Sequence, residues 1–236
     1  MLAPGHALLT TPQRNSVQIH RASLTTPDGT NTTKEQTMND IFELEVANAD
    51  FITDFLVIGG DLAFDEKKAN MQAVELVDLA AVTHILDCRL EAEENLWDRF
   101  PKVDYLWDGI DDRPNAATAT WFERVTEWAK RAIDSGGTVL THCHMGINRG
   151  PSAGYAILLR LGWDAVDALD AIRNARPIAN IAFAEDAVEW HLARISATEA
   201  ERRAVRSRVA QWRLEHPLDV VRIIRSERSR EGGQVA

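Results

Sequence analysis

The sequence predicts an α/β fold: a mostly parallel central sheet flanked by helices in three layers, with a helical C-terminal extension. Three observations predict it. Short apolar runs alternate with segments of helical apolar spacing between about residues 50 and 195, the order expected of parallel strands joined by helical crossovers. A strand, a short loop and a helix follow one another directly across 138–161, an arrangement that places loop residues at a sheet edge. The 236 residues are 45% apolar and 26% charged, a globular composition with room for one domain and tails, or two small domains.

Residues 1–38 are polar, carry Pro4, Pro12, Pro27 and Gly29, and have no apolar period; they read as a disordered N-terminal arm, with Met38 as an alternative start. An ordered domain is expected over 39–196. Ile41–Val46 and the apolar stretch Phe51–Ile58, which ends at Gly59-Gly60, read as strands. Residues 66–80 space Met71, Val74, Leu76, Val77 and Leu79 as a helix does. Thr83–Cys88 and Val103–Trp107 read as strands. Residues 119–134 put Phe122, Val125, Ala129, Ala132 and Ile133 on one helical face, and Gly136-Gly137 stops that helix. Thr138–Thr141 is a short strand running into His142-Cys143, and helices follow at about 150–161, 164–175 and 183–195. The extension over 197–236 is helical, with nine Arg against six acids from Glu199 on, a local +3, and Pro217 divides it. It reads as a solvated face packed on the domain by Val205, Val209, Trp212, Leu214 and Ile223, or as a docking arm for an acidic partner.

Bulk properties exclude several classes. The formal charge of −10 and pI of about 5.2 argue against a nucleic-acid surface spread over the chain. A local anion site needs few side-chain charges when backbone N–H groups line it. Cys88 and Cys143 are the two cysteines, too few for a disulfide framework and without metal-ligand spacing. A reducing compartment, hence the cytoplasm, is expected, with no metal and no cofactor. No apolar run reaches the ~18–20 residues of a membrane span, and no secretory signal pattern opens the chain.

The chemistry concentrates in His142-Cys143-His144-Met145-Gly146-Ile147-Asn148-Arg149. A strand ends at Thr141 and a helix begins near Gly150, so loop N–H groups and the helix dipole converge on one point. Such a loop binds a tetrahedral oxyanion. Gly146 suits a sharp turn, and Pro151 fits the first helical turn. A helix N-terminus and a nearby cation favour the thiolate form of a cysteine. Arg149 offers a fork of donors to two phosphate oxygens, which a lysine does not. Taken alone, Cys143 reads as a small buried residue at a strand end. His, Cys, Gly and Arg in this register, between strand and helix, point to a nucleophile and its clamp.

His142-Cys143-x-x-Gly146-x-x-Arg149 resembles the active-site loop of the protein tyrosine phosphatase superfamily. The surrounding chain is similar to its dual-specificity branch over about 50–195. Ile52–Gly59 resembles the opening strand of that branch, and Val82–Asp87 its "thr-his-ile-leu-asn" strand. Arg176-Pro177 and Asn180-Ile181-Ala182-Phe183 resemble its Arg-Pro and Asn-x-Gly-Phe elements, with two residues fewer between them. The resemblance implies a catalytic domain over 39–196, an enzyme using a phosphocysteine intermediate, and an Asp that protonates the leaving oxygen. Spacing to Trp121-Phe122 matches Asp112 best, with Asp111 as the alternative. It implies that His142 orders the loop. His144 and Met145 are expected to face the pocket mouth and affect substrate choice, or to face solvent.

Two positions depart from the pattern. Gly150 stands where the family has Ser or Thr, whose hydroxyl stabilises the departing thiolate; Ser152 is the candidate substitute. Cys88 is placed like the cysteine that forms a protective disulfide in some lipid phosphatases, or is a core residue. The expected substrate is a phosphorylated protein, with dual specificity for phosphotyrosine and phosphoserine/threonine. Gly146-Ile147-Asn148-Arg149 is also similar to the Gly-x-Asn-Arg of RNA 5′-phosphatases, which keeps a non-protein substrate open. A weakly active phosphate-binding module is the third reading. Oligomeric state is left open.

Overall fold

The computed structural model describes residues 43–91 and 96–232. Its elements in chain order are β1 (Ala49–Thr53), β2 (Leu56–Gly59), α1 (Glu66–Val74), β3 (Val82–Arg89), β4 (Asp104–Ile110), α2 (Ala119–Asp134), β5 (Thr138–His142), α3 (Arg149–Arg160), α4 (Ala165–Ala175), α5 (Ala184–Arg194), α6 (Glu199–Glu215) and α7 (Val220–Gly232). The strands form one sheet in the order β1-β2-β5-β3-β4. β2, β5, β3 and β4 are mutually parallel, and β1 closes one edge antiparallel to β2. The predicted mostly parallel sheet is therefore present, and β5 occupies its centre.

Strand residues alternate between two cores, as a period of two dictates. Leu56, Ile58, Leu86, Cys88 and Val139 pack with α2, α3 and α5, while Val57, Ile85 and Leu140 pack with Ala73, Leu76 and Trp97 on the opposite face. α3 is buried from Arg149 to Leu159, because α2, α4, α5 and the sheet surround it. The described part of the extension belongs to the same compact unit as the sheet. Val209 and Trp212 bury it as expected, but Leu214 is 77% exposed and takes no part.

Three expectations are corrected. The stretch 51–58 is a hairpin, not one strand: Thr53 Oγ1 accepts the Phe55 amide at 3.3 Å, a local bond that favours a turn at Asp54-Phe55. Residues 41 and 42 of the expected strand 41–46 lie outside the described residues, and Glu43–Val46 form no strand. The amides of Glu45, Val46 and Ala47 donate instead to the Glu75 carboxylate, at 2.7, 3.0 and 2.6 Å. The helix over 66–80 is present as α1 followed by a π-helical turn at Glu75–Leu79, but its inward face differs. Met71, Val74 and Leu79 are exposed, while Ala69, Gln72, Ala73, Glu75 and Leu76 are buried. The polar bonds decide the face: Gln72 accepts from the Ala63 amide and donates to the Val46 carbonyl.

The Glu75 carboxylate thus satisfies three backbone donors from a site 6% exposed. Glu75→Ala leaves those amides without it and lowers stability by roughly 2–3 kcal/mol, measured by urea denaturation at pH 7. Glu75→Gln keeps one acceptor oxygen and loses less.

Candidate active site

Cys143 leaves the C-terminal end of the central strand β5, and Arg149 opens α3. Between them the chain turns its carbonyls outward. The His144 carbonyl accepts from Asp61 N at 2.9 Å, that of Ile147 from Asn180 N at 2.7 Å, and that of Asn148 from Ser152 N at 2.8 Å. The carbonyls of Met145 and Gly146 accept from Arg176, at 3.2 and 2.7 Å. In a trans peptide the C=O of one residue and the N–H of the next point oppositely. Five outward carbonyls therefore turn the amides of 145–149 inward, toward the N-terminal end of α3. Gly146 makes the sharpest turn, at φ 64°, and an added Cβ would meet the Gly59 carbonyl at 2.6 Å, so glycine is required by both torsion and space.

The functional side chains surround this cradle. Cys143 and Arg149 are nearly buried, at 3% and 6% exposure. Arg149 Nη1 and Nη2 donate to the two oxygens of Glu91 at 2.6 and 2.7 Å, and its Nε, which has no hydrogen-bond partner among the described residues, stands 4.0 Å from Asp112 Oδ1. Of the two candidate acids, Asp112 faces the loop: its Oδ1 accepts from Asn148 Nδ2. Asp111 instead caps the local turn, accepting from Arg113 N and pairing with the Arg113 guanidinium at 2.9 Å. His144 and Met145 are half-buried, in contrast to the buried remainder of the loop.

Behind the loop lies a buried ionic network. His142 Nε2 is 3.7 Å from Asp87 Oδ2. Asp87 also accepts from Arg89 and from Tyr105 Oη, and Arg89 reaches Asp61 at 2.6 Å. Burial works to raise the Asp87 carboxyl, but the Arg89 hydrogen bonds and His142 outweigh it and hold it below the ordinary value.

Ser152 is fully buried in the first turn of α3. Its hydroxyl donates to Asn148 Oδ1 and accepts from Phe183 N, each at 3.3 Å. The one hydroxyl proton thus bonds to Asn148. Cys88 follows Asp87, which pairs with His142 in the sheet register, so it lies one step from Cys143 across parallel strands. Both thiols are free. Burial, then the neighbouring Cys143, pushes the Cys88 thiol well up, which opposes its reaction as a thiolate.

Sequence reasoning missed Glu91 and gave Arg176 no role. Glu91 follows β3 by two residues, at the sheet edge where loops after parallel strands gather. Its partner lies 58 positions away, so only the fold signal was available. Arg176 is 2% exposed and is held by Asp50 at 2.6 Å and Asn48 at 2.9 Å while it grips the loop carbonyls.

Hydrogen bonds from Arg149 hold the Glu91 carboxyl down at about 2 against an ordinary 4.5. A depressed carboxylate stabilises the fold fully above its unfolded value, and loses that contribution as pH falls toward the folded one. Glu91→Gln is expected to show a shallower decline of stability between pH 4.5 and 2. The difference at pH 7 is on the order of 0.5–1 kcal/mol, since Glu91 is half exposed; urea denaturation across that range checks it.

A family model described as dual specificity phosphatase, catalytic domain, matches residues 65–191. A relative from Dictyostelium discoideum, named a probable rhodanese domain-containing dual specificity protein phosphatase, is 33% identical over 113 residues. That alignment covers 48% of this chain and 21% of the relative, so the chain spans about a fifth of that protein's length. Among solved structures, PTPMT1 in complex with PI(5)P is 18% identical, with a TM-score of 0.52 over 69% of this chain and 99% of that one. Human DUSP28 is 21% identical, with a TM-score of 0.52 over 62% and 94%. DUSP15 is 24% identical, with a TM-score of 0.51 over 68% and 96%. These structural likenesses are likenesses of fold. The family match extends over more than half of the 236 residues and contains the whole loop from Cys143 to Arg149, so the chain belongs to the dual specificity phosphatases, cysteine-type phosphatases of the protein tyrosine phosphatase superfamily.

Proposed function

We propose that this phosphatase hydrolyses phosphomonoesters on protein tyrosine, serine and threonine residues through a phosphocysteine at Cys143. The observation that carries this reading is the convergence of Cys143, the inward amides of 145–149, Arg149 and Asp112 at the N-terminal end of α3. In the first step the Cys143 thiolate attacks phosphorus and the P–O ester bond breaks. Asp112 gives its proton to the leaving oxygen, because an expelled alkoxide or phenolate is a poor leaving group. The loop amides and the Nε edge of Arg149 stabilise the charge on the transferring group; the opposite edge of the guanidinium is held by Glu91. In the second step the Asp112 carboxylate takes a proton from water. The water oxygen bonds to phosphorus, the P–S bond breaks, and inorganic phosphate and the Cys143 thiolate result.

A shallow rim supports dual specificity. His144 and Met145 are half-buried and Asp112 is 56% exposed, so a short phosphoserine could reach the cradle as well as a phosphotyrosine. The RNA reading rests on Gly146-Ile147-Asn148-Arg149, in which Asn148 is the residue beyond the general loop pattern. Its amide is engaged by Asp112 and by Ala182 N, which accounts for an asparagine there without a nucleic acid.

Turnover of p-nitrophenyl phosphate is expected to vanish in Cys143→Ser, which separates an enzyme from a phosphate-binding module. Asp112→Asn is expected to lower kcat/KM on phenyl phosphate by about 10²–10⁴. With Gly150 in place of a hydroxyl, hydrolysis of the phosphocysteine is expected to be slow. Rapid quench should then show a burst of the phenol product and trapped protein-bound phosphate; a linear time course with neither would refute the slow second step. Pull-down with Cys143→Ser, followed by identification of retained phosphoproteins, tests the substrate class.

A further inference from the structure

The arginines of the C-terminal extension do different things. Arg206 pairs with Glu189 and Arg208 with Asp164 on the domain surface. Arg213, in the last turn of α6, reaches further in. Its Nη2 donates to the Ile181 carbonyl and its Nη1 to the Asn180 carbonyl, while Glu185 pairs with the same guanidinium. Arg173 of α4 supports the same turn, donating to the Ala179 carbonyl at 2.9 Å and lying 5.1 Å over the Trp212 ring of α6.

The turn so held is strained and central. Ile181 is β-branched and fully buried, yet has φ 52°, a torsion such residues adopt only where surrounding contacts impose it. The amides of this turn face the catalytic loop: Asn180 N donates to the Ile147 carbonyl at 2.7 Å and Ala182 N to Asn148 Oδ1 at 2.6 Å. Asn148 passes the constraint on through its Nδ2, which donates to Asp112. One continuous path of hydrogen bonds thus runs from α6, through a strained turn, to the loop that carries the carboxylate. The family match ends at residue 191, before α6 begins, so this support lies outside the matched segment.

We propose that α6 is a positioning element of the active site. Arg213 holds the Asn180–Ala182 turn in its left-handed conformation, and the turn, through Asn148, holds Asp112 in place for proton transfer. Arg213 is a positioning residue; it touches no reacting atom. The proposal rests on the reading of Asp112 as the general acid.

The test uses the full-length chain and two substrates of opposite demand. Phenyl phosphate needs protonation of its leaving group, and 2,4-dinitrophenyl phosphate hardly does. Arg213→Met keeps the apolar stem and removes the donors. It is expected to lower kcat/KM on phenyl phosphate by about tenfold, and by less than about twofold on the dinitrophenyl ester. Arg213→Lys keeps the charge beside Glu185 but reaches one carbonyl at most, and is expected to show a smaller loss of the same kind. Equal losses on both substrates, or no loss, overturn the proposal. If Arg213→Met does not fold, Arg213→Lys is judged by the same criterion. Asp112→Asn measured alongside separates the two ideas. Leaving-group dependence in Asp112→Asn without it in the Arg213 variants leaves the acid assignment standing and removes the role of α6. Absence of it in Asp112→Asn removes both.

Discussion

Everything at the site depends on holding five consecutive carbonyls, from His144 to Asn148, away from the phosphate position. A loop of this length has no internal hydrogen bonds to stabilise such a conformation, so the donors come from elsewhere. Asp61 N belongs to the loop after β2, Arg176 to the end of α4, Asn180 N to the turn before α5, and Ser152 N to the first turn of α3. Arg176 carries the heaviest share. A guanidinium at 2% exposure needs nearby charge and acceptors. Asp50 and Asn48, at the start of the edge strand, supply them. The antiparallel hairpin at the sheet edge is thereby tied to the cradle two strands away.

The same arrangement reconciles an acidic chain with a dianionic substrate. Net charge −10 repels phosphate at a distance, but backbone dipoles and a helix N-terminus act over the last few ångströms. The cationic side chains around the loop are each balanced by a carboxylate: Arg149 by Glu91, Arg176 by Asp50, and Arg89 by Asp61 and Asp87. Such pairs hold each guanidinium in one orientation. Removing one partner would leave the other charge buried or half-buried and free to reorient.

What the sequence revealed and what it concealed divide by range. α2 and α3 follow from local periodicity, caps and breakers, and the loop between β5 and α3 announces itself because its residues are contiguous. Thr118 caps α2 and Gly136 ends it at φ 86°, features readable within a few residues. The hairpin at Asp54-Phe55 escaped because a run of apolar residues masks a turn whose one local signal is Thr53. The inward face of α1 escaped because Glu75 and Gln72 are drawn in by backbone groups 26–30 residues away. Glu91 with Arg149, and Arg176 with Asp50, are separated by 58 and 126 positions. Pairings of that kind leave no local pattern, since either partner alone reads as a solvated charge.

Gly150 shows how packing can reach into chemistry. A Cβ there would stand 3.0 Å from His142 Cα and 3.1 Å from the Thr141 carbonyl oxygen, so any larger residue would crowd the end of the strand that carries the nucleophile. Thr141 ties that strand end to α3, since its hydroxyl donates to the Gly150 carbonyl at 2.9 Å. The hydroxyl of Ser152 is committed to Asn148. Both hydroxyl protons of this corner are therefore engaged in holding the loop. In the proposed second step the thiolate leaves with stabilisation from the inward amides, the helix dipole and the Arg149 guanidinium.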